Sequence, residues 1–361
     1  MRKAVLIIPR RKVDQLGEAL ALCETAGYSV VRVVKTRYPN RVGKGLIEEL
    51  AETLEDDVDT IIFYGTPSPS SIFQLMKRTR RRVIDRVQLI LEIFAEHAGS
   101  KEAKLQIEAA RIRHEIPLVR EWVRRSKMGE LPGFLGPGGY AVDAYYRHLR
   151  QKLARIRREL ERLRRLRSVR RSARERQGFT HVAIVGYASA GKTSIFNALT
   201  GERKPVGKEY FTTLHPKHKL IRARGRSVIL VDTVGFIRDI PPEIIEAFYS
   251  TLEEITDSDA IIFVVDVSEP VDIMREKVES GFETLARIGA VGKPVIIAAN
   301  KIDLLDPQTL EASIEKLREI ASDKASLVVP VSARTGRGLD KLLDIIAGTV
   351  EGVRGSAPET S

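Results

Sequence analysis

The stretch "GYASAGKTS", Gly186 to Ser194, follows the apolar run "HVAIV" and precedes "IFNAL". Its spacing, G-x-x-x-x-G-K-[ST], constrains the fold more than any other feature of the chain. The glycines let the backbone curl so that successive N–H groups converge on phosphate oxygens. That curl needs a strand entering and a helix leaving with its positive end toward the anion. A doubly wound, mostly parallel α/β sheet supplies such junctions. The candidate phosphate-binding residues are therefore Gly186, Tyr187, Ala188, Ser189, Ala190, Gly191, Lys192 and Thr193. Lys192 is placed to reach the β- and γ-phosphates, and the Thr193 hydroxyl to ligate Mg²⁺. The loop alone does not choose between ATP and GTP.

The pieces that follow fall in a set order, each at a predicted strand end. "SVILVDT", "AIIFVVDV", "PVIIAAN" and "LVVPVSA" are near-continuous apolar runs, as buried parallel strands should be. "KLIRARGRSVILV" turns at Arg224-Gly225, which predicts an antiparallel edge hairpin. "DTVG" follows one strand: Asp232 can hold Mg²⁺ through water, Thr233 and Val234 form the turn, and the Gly235 N–H can sense a γ-phosphate. "EYFTTLHPKH" occupies the place of a first switch, with Phe211, Thr212, Thr213, Leu214 and His215 as candidates and Thr213 favoured for Mg²⁺. "NKID", with Asn300, Lys301, Ile302 and Asp303, carries the choice of base. The Asp303 carboxylate can accept from guanine N1–H and its 2-amino group together, whereas adenine would leave a buried carboxylate unpaired. In "VSAR", Ser332, Ala333 and Arg334 complete the base site, with a backbone N–H for the guanine O6. Phe236 stands where related switch proteins place a water-orienting glutamine. Phenylalanine cannot polarise water, so slow intrinsic hydrolysis is expected.

Upstream, residues 1–100 alternate short apolar runs with amphipathic stretches, as a small α/β domain does. The reading is strand for "AVLII", helix for "DQLGEALALCETAG", strand for "SVVRVV", helix for "GKGLIEELAETLED" and strand for "VDTIIFYG". The loop "TPSPSS" and the strand "RRVIDR" follow. Residues 101–177 read as a long antiparallel two-helix arm. Leu105, Ala109, Ile112, Ile116, Val119 and Val123 step at the seam period of packed helices, and so do Val142, Tyr146, Leu149, Leu153, Ile156, Leu160 and Leu163. Residues 129–139, rich in Gly and Pro, form the tip. Pro117 predicts a kink or break in the first helix. The second helix, about 34 residues, would be roughly 50 Å long. Residues 178–353 form the nucleotide-binding domain and 354–361 a disordered tail.

The charge is concentrated. Between Arg147 and Arg176 lie fourteen Lys or Arg and three Asp or Glu, nearly the whole of the net charge of +12. A mixed-sign surface would keep a helical arm soluble, so this excess points to a polyanion, RNA phosphates above all. The single cysteine, Cys23, excludes a disulfide framework, and no apolar run approaches the roughly 20 residues of a membrane span. A cytoplasmic monomer is expected.

"GYASAGKTSIFNALTG", "YFTTLHPKHK", "DTVGFIRDIPPEIIEAFYSTLEEI", "VVDVSEP", "VGKGLIEEL" and "VIDRVQLILEIFAEHAGSKEAKLQIEAARI" together resemble the HflX family of GTPases over nearly the whole chain. The resemblance implies a P-loop GTPase domain after an N-terminal α/β domain and a helical arm. It further implies hydrolysis of GTP to GDP with Mg²⁺, and binding to the large ribosomal subunit in splitting, rescue or biogenesis. Ser189 replaces the family's asparagine that helps hold a catalytic K⁺, which makes potassium doubtful here. "LGPGGYAV" retains Gly136-Pro137-Gly138 of the family's arm motif and lacks its acidic residue. An RNA-remodelling NTPase and a slow-hydrolysing nucleotide-dependent scaffold are the alternative readings.

Overall fold

The computed structural model describes residues 1–127, 138–175, 179–202, 216–238, 244, 249–325 and 327–355. Its contacts divide the chain into two units, the first running to Arg165 and the second starting at Leu166.

In the first unit, β1 (Arg2–Pro9), β2 (Tyr28–Thr36), β3 (Thr60–Phe63) and β4 (Arg82–Asp85) form a sheet of order β2-β1-β3-β4 with all neighbours parallel. Helices α1 (Leu16–Thr25), α2 (Lys44–Thr53) and α3 (Pro69–Thr79) make the connections, and α4 (Arg86–His97) follows β4. Helix α3 begins inside the segment read as the loop "TPSPSS". The Ser68 side chain accepts from the Ser71 N–H, and Pro69 opens the helix. A serine cap followed by proline is a start signal, and the Ser/Pro composition masked it.

Helices α5 (Lys101–Lys127) and α6 (Gly138–Glu175) pack along the expected seam. Ala109, Ile112, Val119, Val142, Leu149, Leu153 and Ile156 form its buried core, with Trp122 added at its margin. The pairs Lys101–Glu159 at 2.7 Å, Lys152–Glu108 at 2.5 Å and Tyr145–Glu115 at 2.7 Å climb one helix as they descend the other, so the helices are antiparallel. Helix α6 starts at Gly138, within the stretch read as the tip, directly after Pro137 in the sequence. A proline that cannot continue a helix can still precede one.

The break expected at Pro117 does not occur: the proline lies inside α5. Its missing N–H and ring clash cost about 3 kcal/mol. The next two residues offset this, at about 1.5–3 kcal/mol per buried side chain. Leu118 packs into the core of the α/β layer and Val119 into the seam. The helix thus continues through its proline, anchored by two cores just beyond it.

The second unit runs β5 (Thr180–Gly186), α7 (Lys192–Thr200), β6 (Lys217–Ala223), β7 (Arg226–Asp232), α8 (Tyr249–Thr256), β8 (Ala260–Asp266), α9 (Val271–Arg287), β9 (Val295–Asn300), α10 (Pro307–Ala321), β10 (Leu327–Pro330) and α11 (Leu339–Gly355). The sheet order is β10-β9-β8-β5-β7-β6. Its pairs are parallel except β6 with β7, the hairpin expected at Arg224-Gly225. Val182, Ile184, Ile262, Val264, Ile296 and Ala298 are buried at its centre. Because β5, β7, β8, β9 and β10 are parallel, their carboxyl ends and the loops beyond them share one edge. Helix α11 runs to Gly355, two residues into the expected tail. The remainder, 356–361, lies outside the described residues, as does most of the arm tip.

Replacing Pro117 by alanine restores a backbone donor inside an already formed helix. The Pro117→Ala variant is expected to be more stable by about 1–3 kcal/mol, seen as a higher urea midpoint at unchanged slope. A lower midpoint would show that α5 needs its proline.

Candidate functional site

The carboxyl edge of the second sheet brings the separate motifs together. The phosphate loop leaves β5 at Gly186, whose φ of 143° and close approach to β8 leave no room for a side chain: a Cβ would collide with the Val264 carbonyl. The loop then curls through Ser189, a non-glycine residue at φ 63°, to Gly191 at φ 96°. A Cβ on Gly191 would run into the side-chain amide of Asn300. The two glycines are therefore required by different neighbours, one by a strand backbone and one by the Asn300 side chain.

Lys192 and Thr193 open α7 beneath that curl. The Lys192 ammonium is buried and donates to the Tyr187 carbonyl at 2.8 Å. Burial pushes its pKa down from 10.5 to about 8, with Asp232 acting in the opposite direction. The Thr193 hydroxyl donates to Asp232 Oδ2 at 3.0 Å. Asp232 ends β7 and is fully buried. A hydroxyl and a carboxylate oxygen so close together are the hard donors that Mg²⁺ accepts alongside phosphate oxygens and water. The following turn is pinned to β5 through the Thr233 hydroxyl, which donates to the Ile184 carbonyl at 2.7 Å.

At the other end of the edge, Asn300 joins three segments. Its Nδ2 donates to the Ala190 carbonyl at 2.9 Å, and its Oδ1 accepts from the Ala333 N–H at 3.0 Å. The Ser332 hydroxyl donates to Asp303 Oδ1 at 2.6 Å and accepts from the Thr335 N–H at 3.1 Å. Ile302 is buried behind this loop. Arg334 is exposed, with its guanidinium 4.0 Å from Asp303 Oδ2. The structure thus places Asn300, Asp303, Ser332 and Ala333 in one cluster with the phosphate loop.

Phe236 is buried with its ring against Tyr187 and Phe263, at centroid distances of 6.3 and 6.4 Å. Its N–H donates to the Gly186 carbonyl at 2.9 Å, and its carbonyl accepts from Ala188 N–H at 2.8 Å. The segment with Val234 and Gly235 therefore lies bridged to the phosphate loop, and the phenyl ring is part of the core. Phe211, Thr212, Thr213, Leu214 and His215 lie outside the described residues.

One residue escaped the sequence reading. Asp266 ends β8 as Asp232 ends β7, and its carboxylate holds the Lys301 ammonium. An acidic residue closing an apolar strand at the binding edge was the available signal.

Two outcomes follow from this geometry. Gly191→Ala strains the backbone and drives Asn300 from Ala190, so GDP affinity should fall on the order of 100-fold, about 2.7 kcal/mol, by calorimetry. An affinity within twofold of the parent would contradict the crowding at that position. Lys192 sets the pH dependence. Below about pH 8 the ammonium is charged in folded and unfolded chains alike, so its burial costs stability there. That cost is relieved as pH rises from about 8 toward 10.5. Phosphate favours the charged form. With divalent ions chelated, GDP affinity should be flat below about pH 8 and fall above it by up to about tenfold per pH unit, with proton uptake on binding. Calorimetry in buffers of different ionisation enthalpy reads the proton; its absence at about pH 9 would contradict the assignment.

Known proteins share this architecture. Family models match along the chain: "GTP-binding GTPase N-terminal" at residues 13–95, "GTP-binding GTPase Middle Region" at 97–174 and "50S ribosome-binding GTPase" at 181–301. The GTPase HflX of Hyperthermus butylicus is 52% identical, covering 98% of each chain. That of Thermococcus kodakarensis is 40% identical over 95% of this chain and 80% of its own. Among solved structures, the SsGBP–GDP complex is 31% identical with a TM-score of 0.59, covering 98% of this chain and 99% of its own. A GTP-binding protein from Sulfolobus solfataricus in complex with GDP is 30% identical with a TM-score of 0.54, covering 98% and 100%. A phosphate loop, Asp232, Asn300 and Asp303 on one sheet edge, within a chain matched from end to end, make this protein a member of the HflX family of GTPases, and it hydrolyses GTP.

Proposed function

We propose that the chain is a guanine-nucleotide switch of the cytoplasm that associates with the large ribosomal subunit, in splitting and rescue or in assembly. Residues 1–100, 101–177 and 178–353 serve as its N-terminal domain, RNA-binding arm and GTPase domain. The phosphate loop, Gly186 to Thr193, cradles the phosphates, and Lys192 neutralises their charge. Asp303 reads the guanine N1–H and 2-amino group, Asn300 holds the base loop against the phosphate loop, and Ala333 offers its N–H to the guanine oxygen. Thr193 and, from the first switch, Thr213 would hold Mg²⁺, with Asp232 reaching it through water. That ion would neutralise charge building on the phosphate oxygens. Gly235 senses the γ-phosphate. With Phe236 in the core, the chain itself brings no water-orienting side chain at that position, so hydrolysis is slow until a partner completes the site.

The observation that carries the ribosome assignment is the charge on α6. Arg147, Arg150, Lys152, Arg155, Arg157, Arg158, Arg162, Arg164 and Arg165 are all exposed along it. The crowding is felt by Arg113 on α5: burial first, then Arg157 and Arg164, lower its pKa. Like charges so placed repel one another and are relieved by a phosphate backbone. The description "50S ribosome-binding GTPase" of the matching family model supports the same partner.

Co-sedimentation with purified large subunits tests this. Binding should be stronger with a non-hydrolysable GTP analogue than with GDP. It should fall steeply with salt, and the slope should shrink when Arg155, Arg158 and Arg162 are changed to glutamine. Salt-insensitive binding, or binding unaffected by those changes, would remove the arm from the interface.

A further inference from the structure

We infer that Asp266 is a positioning residue for guanine recognition, acting through Lys301; the inference rests on the base-reading role proposed for Asn300 and Asp303. Asp266 lies at the carboxyl end of β8, directly opposite Asn300 of β9 in the sheet register. It is 8% exposed. One carboxylate oxygen accepts from the Ser268 N–H at 3.0 Å and the Ser268 hydroxyl at 2.6 Å, which fixes the side chain in its own turn. The other oxygen takes the Lys301 ammonium. The nearby Lys277 is engaged by Glu269 and is not a competing partner.

What this ion pair holds is an unusual backbone. Lys301 adopts φ 70° and ψ 29°, the left-handed region that residues with a Cβ avoid. Such a conformation persists only where surrounding contacts over-determine it. Two contacts from the β8 end act here, while on the far side the Ile302 N–H donates to the Val331 carbonyl at 3.4 Å. The Val267 N–H donates to the Asn300 carbonyl at 3.1 Å, fixing the peptide before Lys301. Asp266 then captures the side chain. The β8 end therefore fixes the peptide before Lys301 and its side chain, the half of the turn nearest Asn300. If Lys301 relaxed to an ordinary conformation, the peptides on either side would rotate. Asp303 would leave the Ser332 hydroxyl, and the three-way contact of Asn300 would open. Asp266 thereby preorganises the base site through Lys301, and preorganisation is realised as affinity.

The consequence is specific to one end of the ligand. In the full-length chain, Asp266→Asn should weaken GMP, GDP and a GTP analogue alike, by roughly tenfold each, the size expected when a charge-assisted contact is lost. The KM for GTP should rise by a similar factor with kcat at saturation kept, because the reacting phosphate is at the far end. Lys301→Met reads the pair from its other side and leaves the Asp266–Ser268 turn intact, so it decides the matter if Asp266→Asn does not fold. Where both fold, the double variant should lose no more than either single change. Losses confined to the triphosphate, or additive losses, would overturn the inference, and so would GDP affinity unchanged in every variant that folds. The parent protein's preference for GDP over ADP separates the two levels. Equal binding of GDP and ADP sinks the base-reading assignment, whereas a kept preference with undiminished variants sinks only the role of Asp266.

Discussion

The amide of Asn300 is the contact on which the site depends. One side chain donates to the phosphate loop at Ala190 and accepts from the loop after β10 at Ala333. Both partners are backbone groups near the sheet edge, Ala190 buried and Ala333 half-buried, and an unsatisfied buried donor or acceptor costs about 1–3 kcal/mol. An amide carries its donor and its acceptor on separate atoms of one short fork, so a single side chain can bridge two segments at once. Gly191 is the complement of this contact, since only a residue without Cβ lets the amide come so close. The loop of Gly186 to Thr193 and the segment of Asn300 to Asp303 are therefore one structure. Disturbing either end is transmitted to the other through two hydrogen bonds.

The chemistry assembled around that contact is divided by dielectric. Lys192 and Asp232 are buried, and Lys192 carries its charge at a cost that anionic phosphate offsets. The arm is the opposite case. Its cations stand in water on α6, where each is cheap alone and expensive only in the company of the others. The buried charges suit a small ligand held in fixed geometry. The exposed ones suit an extended polyanion approached over a long surface.

Much of this was legible in the residues. The seam of the arm was read from spacing alone, because helical side chains that must leave water repeat with the helix. The strand ends were read from apolar runs that stop at Gly186, Asp232 and Asn300, since buried parallel strands admit polar groups only at their edge. Other features were not legible. Helix α3 hid in a Ser- and Pro-rich stretch whose composition resembles a loop. Pro117 was read by its local penalty, and the penalty was overridden by two cores that its neighbours reach. Phe236 could be read as lacking a glutamine's chemistry, but nothing in the string showed its ring lying between Tyr187 and Phe263.

What the sequence determined by itself was the menu of local events: which segments become strands, where a glycine loop joins a strand to a helix, where an acidic side chain follows a strand end, and where positive charge accumulates. Each follows from chemistry within a few neighbouring residues. The tertiary structure alone decided which of these events share a location. Asp266 lies thirty-five residues from Lys301 along the chain, and Asn300 over a hundred from Ala190. Only the strand order of the sheet brings their side chains within hydrogen-bonding reach. That order is selected by burial summed over the whole sheet, a quantity no local stretch contains.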